Sequence, residues 1–164
     1  MSMVPIIIDV EASGFGRGSY PIEVGLVMPD GTPHCFLISP HRSWTYWDGE
    51  AESVHGISRN TLVTYGRPVP EVAWRLNALL HGKTVYSDAW SFDMSWLGKL
   101  YEAARELQAF RIASLHELIG EQQAATWDRT KQAVIHDLSL QRHRASGDAR
   151  ILQETYRRLH PLVA

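Results

Sequence analysis

The stretch that decides the fold is Val4-Pro5-Ile6-Ile7-Ile8-Asp9-Val10-Glu11, an apolar run that ends in two acids one residue apart. A run rich in Ile and Val is typical of a buried β-strand. Because side chains alternate across a strand, Asp9 and Glu11 share a face and Val10 points to the other. Two carboxylates about 5 Å apart repel by roughly 3 kcal/mol at an effective dielectric of about 20. A divalent cation would remove that repulsion, so the pattern predicts a metal site at this strand end.

The turn after the acids, Ala12-Ser13-Gly14-Phe15-Gly16, consists mainly of small residues. Such a turn lets the backbone of another molecule approach closely. The alternative is a strand that ends in a solvated surface loop, since Asp-x-Glu is a weak signal by itself. The acid pair closes the most hydrophobic strand of the chain and precedes a glycine turn, and this context favours a site.

Composition bounds the class of protein. The chain has 164 residues, of which 45% are hydrophobic and 21% charged, as in an ordinary globular domain. We therefore expect one domain over residues 1–164. A formal net charge of -2 excludes a polycation, so any nucleic acid would be bound through a local patch or a metal. Cys35 is the only cysteine, which suits a reducing compartment and favours a cytoplasmic protein. No apolar stretch approaches membrane-spanning length, so no membrane association is expected.

The hydrophobic periodicity predicts an α/β fold, with a mixed five-stranded sheet flanked by helices. A meander of three antiparallel strands comes first, and two further strands join it in parallel through helical crossovers. The predicted strands are 4–10, 20–28, 34–38, 84–87 and 110–113. Predicted helices flank His55-Gly56-Ile57-Ser58, begin at Pro70, cover 92–107, and occupy two segments of the C-terminal third. Ser58 and Ser146 are the expected N-caps of two of these helices.

Three more residues are candidates to join the acid pair. Asp93 lies in the first turn of a helix just after the fourth strand, where Asp88 is a competitor closer to the strand end. Asp148 falls in the first turn of the last helix, and His143 precedes it by five residues. On one continuous helix these two would lie about 140° apart, so they converge only if His143 belongs to the preceding loop. Each pattern alone is common, and the ordinary interpretation is an acid that complements a helix dipole.

In this order, the residues resemble the DEDDh 3′-5′ exonucleases, the group that includes ribonuclease T, oligoribonuclease and proofreading exonucleases. The resemblance covers nearly the whole chain and implies a ribonuclease H-like fold. The matching segments are Ile7–Gly14, Pro21–Val27, His55–Ser58, Phe92–Leu97 and His143–Ala149. Two positions depart from the family pattern: Ala12 stands where members carry Thr or Ser, and Ala89 where many carry Asn. These departures leave the acids intact and affect contacts to the terminal nucleotide.

The resemblance implies two-metal phosphodiester hydrolysis with two Mg²⁺ or Mn²⁺ ions. Asp9 would bridge both ions, Glu11 and Asp148 would complete the site that activates water, and Asp93 would hold the second ion. Hard cations prefer such oxygen ligands. His143 would be the general base, because a neutral imidazole can accept a proton from water near neutral pH.

The resemblance also implies a substrate, the 3′ end of single-stranded DNA or RNA. Residues that would contact the terminal nucleotide are Ala12, Ser13, Gly14, Phe15 and His55. For Phe15, a place in the core beneath the turn is an equal alternative. Small family members form dimers, so the resemblance extends to a homodimer. Two rival functions stay open: a phosphodiesterase for very short oligonucleotides, and a non-catalytic nucleic-acid-binding or partner module on the same fold.

Overall fold

A mixed five-stranded sheet organises the fold, with the Ile-rich strand at its centre. The computed structural model describes residues 3–161. The strands are β1 (Ile6–Ala12), β2 (Pro21–Val27), β3 (Pro33–Leu37), β4 (Thr84–Ser87) and β5 (Arg111–Ser114). Their order in the sheet is β3-β2-β1-β4-β5. The pairs β1–β2 and β2–β3 are antiparallel, whereas β1–β4 and β4–β5 are parallel. The predicted fold class, a meander extended by parallel strands, is confirmed.

Between residues 3 and 161, six α-helices and one short 3₁₀ helix connect and cover the strands. They are α1 (Gly49–His55), α2 (Arg59–Tyr65), α3 (Val69–Leu80), α4 (Trp90–Ala104), the 3₁₀ helix (Leu115–Leu118), α5 (Glu121–Leu138) and α6 (Ala145–Leu159). Ser58 caps α2 as predicted, since its side chain accepts a hydrogen bond from the Thr61 N–H. Over residues 3–161, no helix combines the length and the hydropathy that crossing a membrane requires.

Helices cover both faces of β1, and this decides where its acids point. Ile6, Ile8 and Val10 pack in the larger core, which also contains the buried faces of α3 and α4. Ile7 points to the opposite face and packs against Leu152 of α6. By the same alternation, Asp9 and Glu11 lie on the α6 face of the sheet. The strand therefore presents its carboxylates to the helix that carries the third acid.

Gly25 of β2 lets α6 approach the sheet closely. It pairs with Asp9 in the β1–β2 ladder, so both residues lie on the α6 face. A Cβ atom at Gly25 would overlap the backbone of Ala145 and lie 2.7 Å from the Cα of Ser146. Only glycine leaves room for that contact, and the first turn of α6 therefore lies directly against the sheet beside the β1 acids.

The first turn of α6 is capped by a distant side chain. The prediction that Ser146 caps this helix is wrong, because the helix begins at Ala145 and Ser146 lies inside it. The Oε1 atom of Glu23 in β2 accepts the Ala145 N–H at 2.8 Å. This bond satisfies an N–H that a local cap residue would otherwise have to satisfy.

Candidate active site

Three carboxylates converge where β1 meets α6. Asp9, Glu11 and Asp148 each offer an oxygen atom, and these atoms lie within 4.8 Å of one another. The acids of β1 reach this point because they alternate with Val10, and Asp148 reaches it because α6 starts against Gly25. Three of the four predicted metal ligands are thus brought together by elements that are far apart in sequence.

The fourth predicted acid, Asp93, lies in the same cavity. This cavity of about 270 Å³ is lined by Asp9, Glu11, Asp93 and His143 among others. Asp93 is only 1% exposed and accepts a hydrogen bond of 2.6 Å from the Ser87 Oγ at the end of β4. Its oxygens do not belong to the three-acid cluster found among the described residues. Asp93 therefore holds a separate position beside that cluster.

The competitor Asp88 points elsewhere. It is exposed, and its Oδ2 atom lies 3.9 Å from the Nζ of Lys131 on α5. It does not line the cavity that holds Asp93. Of the two acids that follow β4, the structure therefore selects Asp93 for the site.

Burial and mutual repulsion raise the pKa values of the carboxylates in the cavity. Burial, followed by repulsion from Asp93, Glu11 and Asp148, raises the pKa of Asp9 well above its usual value. Burial and the Asp148 charge raise the pKa of Glu11 to about 7. Burial raises the pKa of Asp93 to about 8 although the Ser87 hydrogen bond acts in the opposite direction. Ionising these carboxylates therefore costs free energy, and a bound cation would offset that cost.

The donor set fits a hard divalent cation. Within the described part of the chain, the side chains of Asp9 and Glu11 accept no hydrogen bond and form no ion pair. The converging ligand atoms are all carboxylate oxygens, which is the chemistry that Mg²⁺ and Mn²⁺ prefer. We conclude that the residues present suit the metal ions implied by the sequence.

Asp148 also organises the loop before α6. Its Oδ1 accepts a hydrogen bond from the Arg142 Nε at 3.1 Å, and its Oδ2 accepts the backbone N–H of His143 at 3.0 Å. His143 has φ of 59° and an exposed side chain that lines the cavity. The condition that His143 precede the helix is thus met, and the imidazole lies at the open side of the acids.

Glu23 is a buried acid whose role the sequence did not reveal. Its carboxylate pairs with the Arg144 guanidinium, with the shortest distance 2.7 Å, and it is fully buried. The same carboxylate accepts the Ala145 N–H, so it fixes the junction between the loop and α6. The signal that could have revealed this role is the position of a glutamate in a strand whose residues are all buried.

Most residues predicted to contact substrate line the cavity, and one does not. Ala12, Gly14, Phe15 and His55 lie along its wall. Ser13 is absent from that wall. Its Oγ accepts the Tyr20 N–H at 3.0 Å and its own N–H donates to the Tyr20 carbonyl at 2.9 Å. These groups of Ser13 hold the turn in shape.

An aromatic cluster forms one side of the cavity mouth. Phe15 is 70% exposed, which excludes the alternative that it is a core residue. Its ring lies 6.0 Å from that of Phe92 and 6.2 Å from that of Trp96, both on α4. Phe92 and Trp96 were predicted to lie in a helix and in a segment that resembles the exonuclease family, and no contact with substrate was predicted for them. The rings of Phe15 and Phe92 are exposed beside the acid cavity and can stack on nucleic-acid bases, whereas Trp96 is buried beneath them.

His55 contributes an unpartnered buried donor to the cavity wall. The residue is 3% exposed, and burial lowers its pKa, so the ring is neutral at physiological pH. Its Nδ1 accepts the Ile57 N–H at 3.0 Å, which leaves the hydrogen on Nε2. That Nε2 is buried without a hydrogen-bond partner among residues 3–161. A group of this kind usually has a partner in the functional state.

Comparison with known proteins shows the fold. No protein-family model and no curated protein matches the sequence. Solved structures do match. One is Escherichia coli exonuclease I with a dA16 oligonucleotide, with a TM-score of 0.69 and 13% identity over 94% of this chain and 41% of that chain. Another is exonuclease I from Methylocaldum szegediense, with a TM-score of 0.70 and 15% identity over 96% of this chain and 41% of that chain. The chain thus spans about two fifths of those proteins. At these identities the likeness establishes that this chain has the ribonuclease H-like exonuclease fold.

Proposed function

We propose that the chain is a metal-dependent 3′-5′ exonuclease that removes terminal nucleotides from single-stranded DNA or RNA. The observation that carries the proposal is the convergence of Asp9, Glu11 and Asp148 beside Asp93 and His143 in one cavity. The structural neighbours are exonucleases, and one of them was solved with an oligonucleotide. A binding module would have no use for an acid cluster that repels itself.

The four acids would hold two divalent ions, Mg²⁺ or Mn²⁺. Asp9, Glu11 and Asp148 surround one position, and Asp93 stands beside it. When bound, such ions activate a water molecule and neutralise the charge of the reacting phosphate. The raised pKa of Glu11 and of Asp93 means that the metal-free site is partly protonated near neutral pH. Metal binding therefore releases protons.

His143 is the proposed general base. Its side chain is exposed at the cavity, where it can reach a water molecule that approaches from solvent. The bond between its N–H and Asp148 Oδ2 places its backbone relative to one of the acids. Proton transfer requires such positioning within hydrogen-bond reach of the reacting water.

The terminal nucleotide would occupy the cavity between the turn after β1 and α4. Phe15 and Phe92 offer exposed rings for base stacking, which is worth roughly 1–3 kcal/mol per base and is independent of sequence. We assign the Nε2–H of His55 as a donor to this nucleotide. His55→Phe is then expected to reduce kcat/KM about tenfold, since one hydrogen bond is lost. An unchanged kcat/KM would contradict the assignment.

The proposal is tested with 3′-labelled and 5′-labelled single strands of DNA and RNA, incubated with Mg²⁺, Mn²⁺ or EDTA. Asp9→Asn and His143→Gln are compared with Asp30→Asn and His116→Gln, which change exposed residues outside the cavity. We expect metal-dependent release of labelled mononucleotides from the 3′ end, lost in the two site variants only. This experiment also shows which nucleic acid is preferred.

Two outcomes would replace the proposal. Binding of strands without cleavage, unaffected by EDTA and by Asp9→Asn, would indicate a nucleic-acid-binding module. Cleavage that is confined to oligonucleotides of a few residues would indicate a phosphodiesterase for short substrates. The oligomeric state, predicted as a homodimer, is checked on the same protein by light scattering.

A further inference from the structure

A second groove lies between the loop before α1 and the C-terminal part of α4. It has a volume of about 370 Å³. Its walls carry the cations Arg42, Lys99 and Arg105, together with His41 and one acid, Glu102. Three cations against one acid make this groove positively charged in a chain whose formal net charge is -2. A local basic site on an acidic protein is suited to an anionic ligand.

Among residues 3–161, two of the three cations of the groove have no acidic partner. Arg42 and Arg105 form no ion pair with any residue in the described part of the chain. By contrast, Arg142 and Arg144 near the acids are both paired with carboxylates. His41 adds a further polar ring to the groove, and its Nδ1 lies 2.8 Å from the Ser43 Oγ.

One face of α4 runs from the acid cavity to this groove. Phe92 and Trp96 line the cavity, and Lys99 and Ala103 line the groove. Their spacing of four, three and four residues places all of them on one side of the helix. Phe92 and Ala103 are separated by about 16 Å along the axis, at about 1.5 Å per residue. The same helix therefore carries the aromatic residues of the cavity and the cation Lys99 of the groove.

The turn after β1 also connects the two sites. The turn that carries Phe15 ends near Ser19, whose carbonyl accepts a hydrogen bond from the Lys99 Nζ at 3.0 Å. The next residue, Tyr20, stacks on Trp44 with ring centroids 5.4 Å apart, and Trp44 lines the groove. The groove thus lies beside the same turn and the same helix as the acid cavity.

We propose that this groove binds backbone phosphates of the single strand on the 5′ side of the bond that is cleaved. This inference rests on the exonuclease function proposed above. The terminal nucleotide lies among the aromatic rings, and the strand continues along α4 to Arg42, Lys99 and Arg105. Each phosphate contact of this kind adds about 0.7 to the slope of log K against log salt for single strands. The groove then favours long strands over short ones.

The test uses the double variant Arg42→Gln/Arg105→Asn, in which Asn suits the left-handed backbone at position 105 (φ 56°). The matched control is Arg111→Gln/Arg129→Gln, which removes the same charge at exposed positions outside the groove. Binding of a long single strand is measured in EDTA at several salt concentrations, and kcat/KM is measured with metal for that strand and for a dinucleotide.

We expect the groove variant to lower the salt slope by about 1.4 and to weaken long-strand binding about 25-fold near 0.1 M salt. The ratio of kcat/KM for the long strand to that for the dinucleotide falls similarly, and the control changes neither. An unchanged slope, an equal loss for the dinucleotide, or an equal effect of the control overturns the proposal. If binding follows the expectation but nothing is hydrolysed, the groove stands and the exonuclease proposal fails.

Discussion

Replacing Glu11 by Gln should stabilise the metal-free protein at alkaline pH. Burial and the Asp148 charge raise the pKa of Glu11 from 4.5 to about 7. A carboxyl whose pKa is raised by folding contributes stability below its unfolded pKa, and that contribution is lost as the pH rises through the folded pKa. Gln has no charge to desolvate, so the variant does not lose this stability.

The magnitude follows from the shift. A difference of about 2.5 pKa units corresponds to up to about 3 kcal/mol at pH 8, and to about 2 kcal/mol once solvent screening at the cavity is allowed for. At pH 5 the same calculation gives a loss of stability from Glu11 of less than about 1 kcal/mol. For a chain of this size, about 2 kcal/mol raises Tm by roughly 4–8 °C. The gain of Glu11→Gln must therefore grow between pH 5 and pH 8.

The assay is thermal and urea unfolding of both proteins in EDTA at pH 5 and pH 8, with Glu117→Gln as the control because Glu117 is exposed. Mn²⁺ is then added at pH 8, where it should stabilise the wild type more than the variant, since the variant lacks one ligand of the three-acid cluster. A variant that is less stable than the wild type at pH 8, or a gain that is equal at both pH values, would refute the reasoning.

Three further perturbations test the geometry of the site. Gly25→Ala should lower the free energy of unfolding by about 2 kcal/mol or more, because its Cβ overlaps the α6 backbone. Urea unfolding checks this against Gly49→Ala, whose Cβ meets nothing within 4 Å. Asp148→Asn should weaken Mn²⁺ binding at least about tenfold in calorimetry, whereas an equal loss in Asp88→Asn would contradict the selected ligand set. Glu23→Gln should cost about 2 kcal/mol of stability because a charge-assisted pair is weakened, and unchanged thermal unfolding would argue against its role.

Much of the fold could be predicted because its signals are local. Alternation along β1 places Asp9 and Glu11 on one face, and Pro29-Asp30-Gly31 marks the turn between β2 and β3. The cap of α2 at Ser58 also depends on neighbours three residues apart. Such patterns involve few residues of a single segment, so they can be recognised without knowledge of the tertiary structure.

The errors and omissions involve contacts between distant segments. Ser146 is a good local cap, but the carboxylate of Glu23 performs that task from another element of the fold. Whether Phe15 is core or surface depends on how α4 passes beneath the turn, and the same packing makes Phe92 and Trp96 part of the cavity wall. Propensity describes a segment in isolation, and packing overrides it.

By itself, the sequence determined the central strand, the shared face of its two acids and the order of the five strands along the chain, because each follows from the alternation of neighbouring residues. Only the tertiary structure decided which acids meet. Gly25 admits α6 to the sheet, and this brings Asp148 within 4.8 Å of Asp9 and Glu11. The end of β4 selects Asp93 over Asp88. The physical reason is that a cluster of like charges is assembled by packing energy from separate elements, and no single segment encodes it.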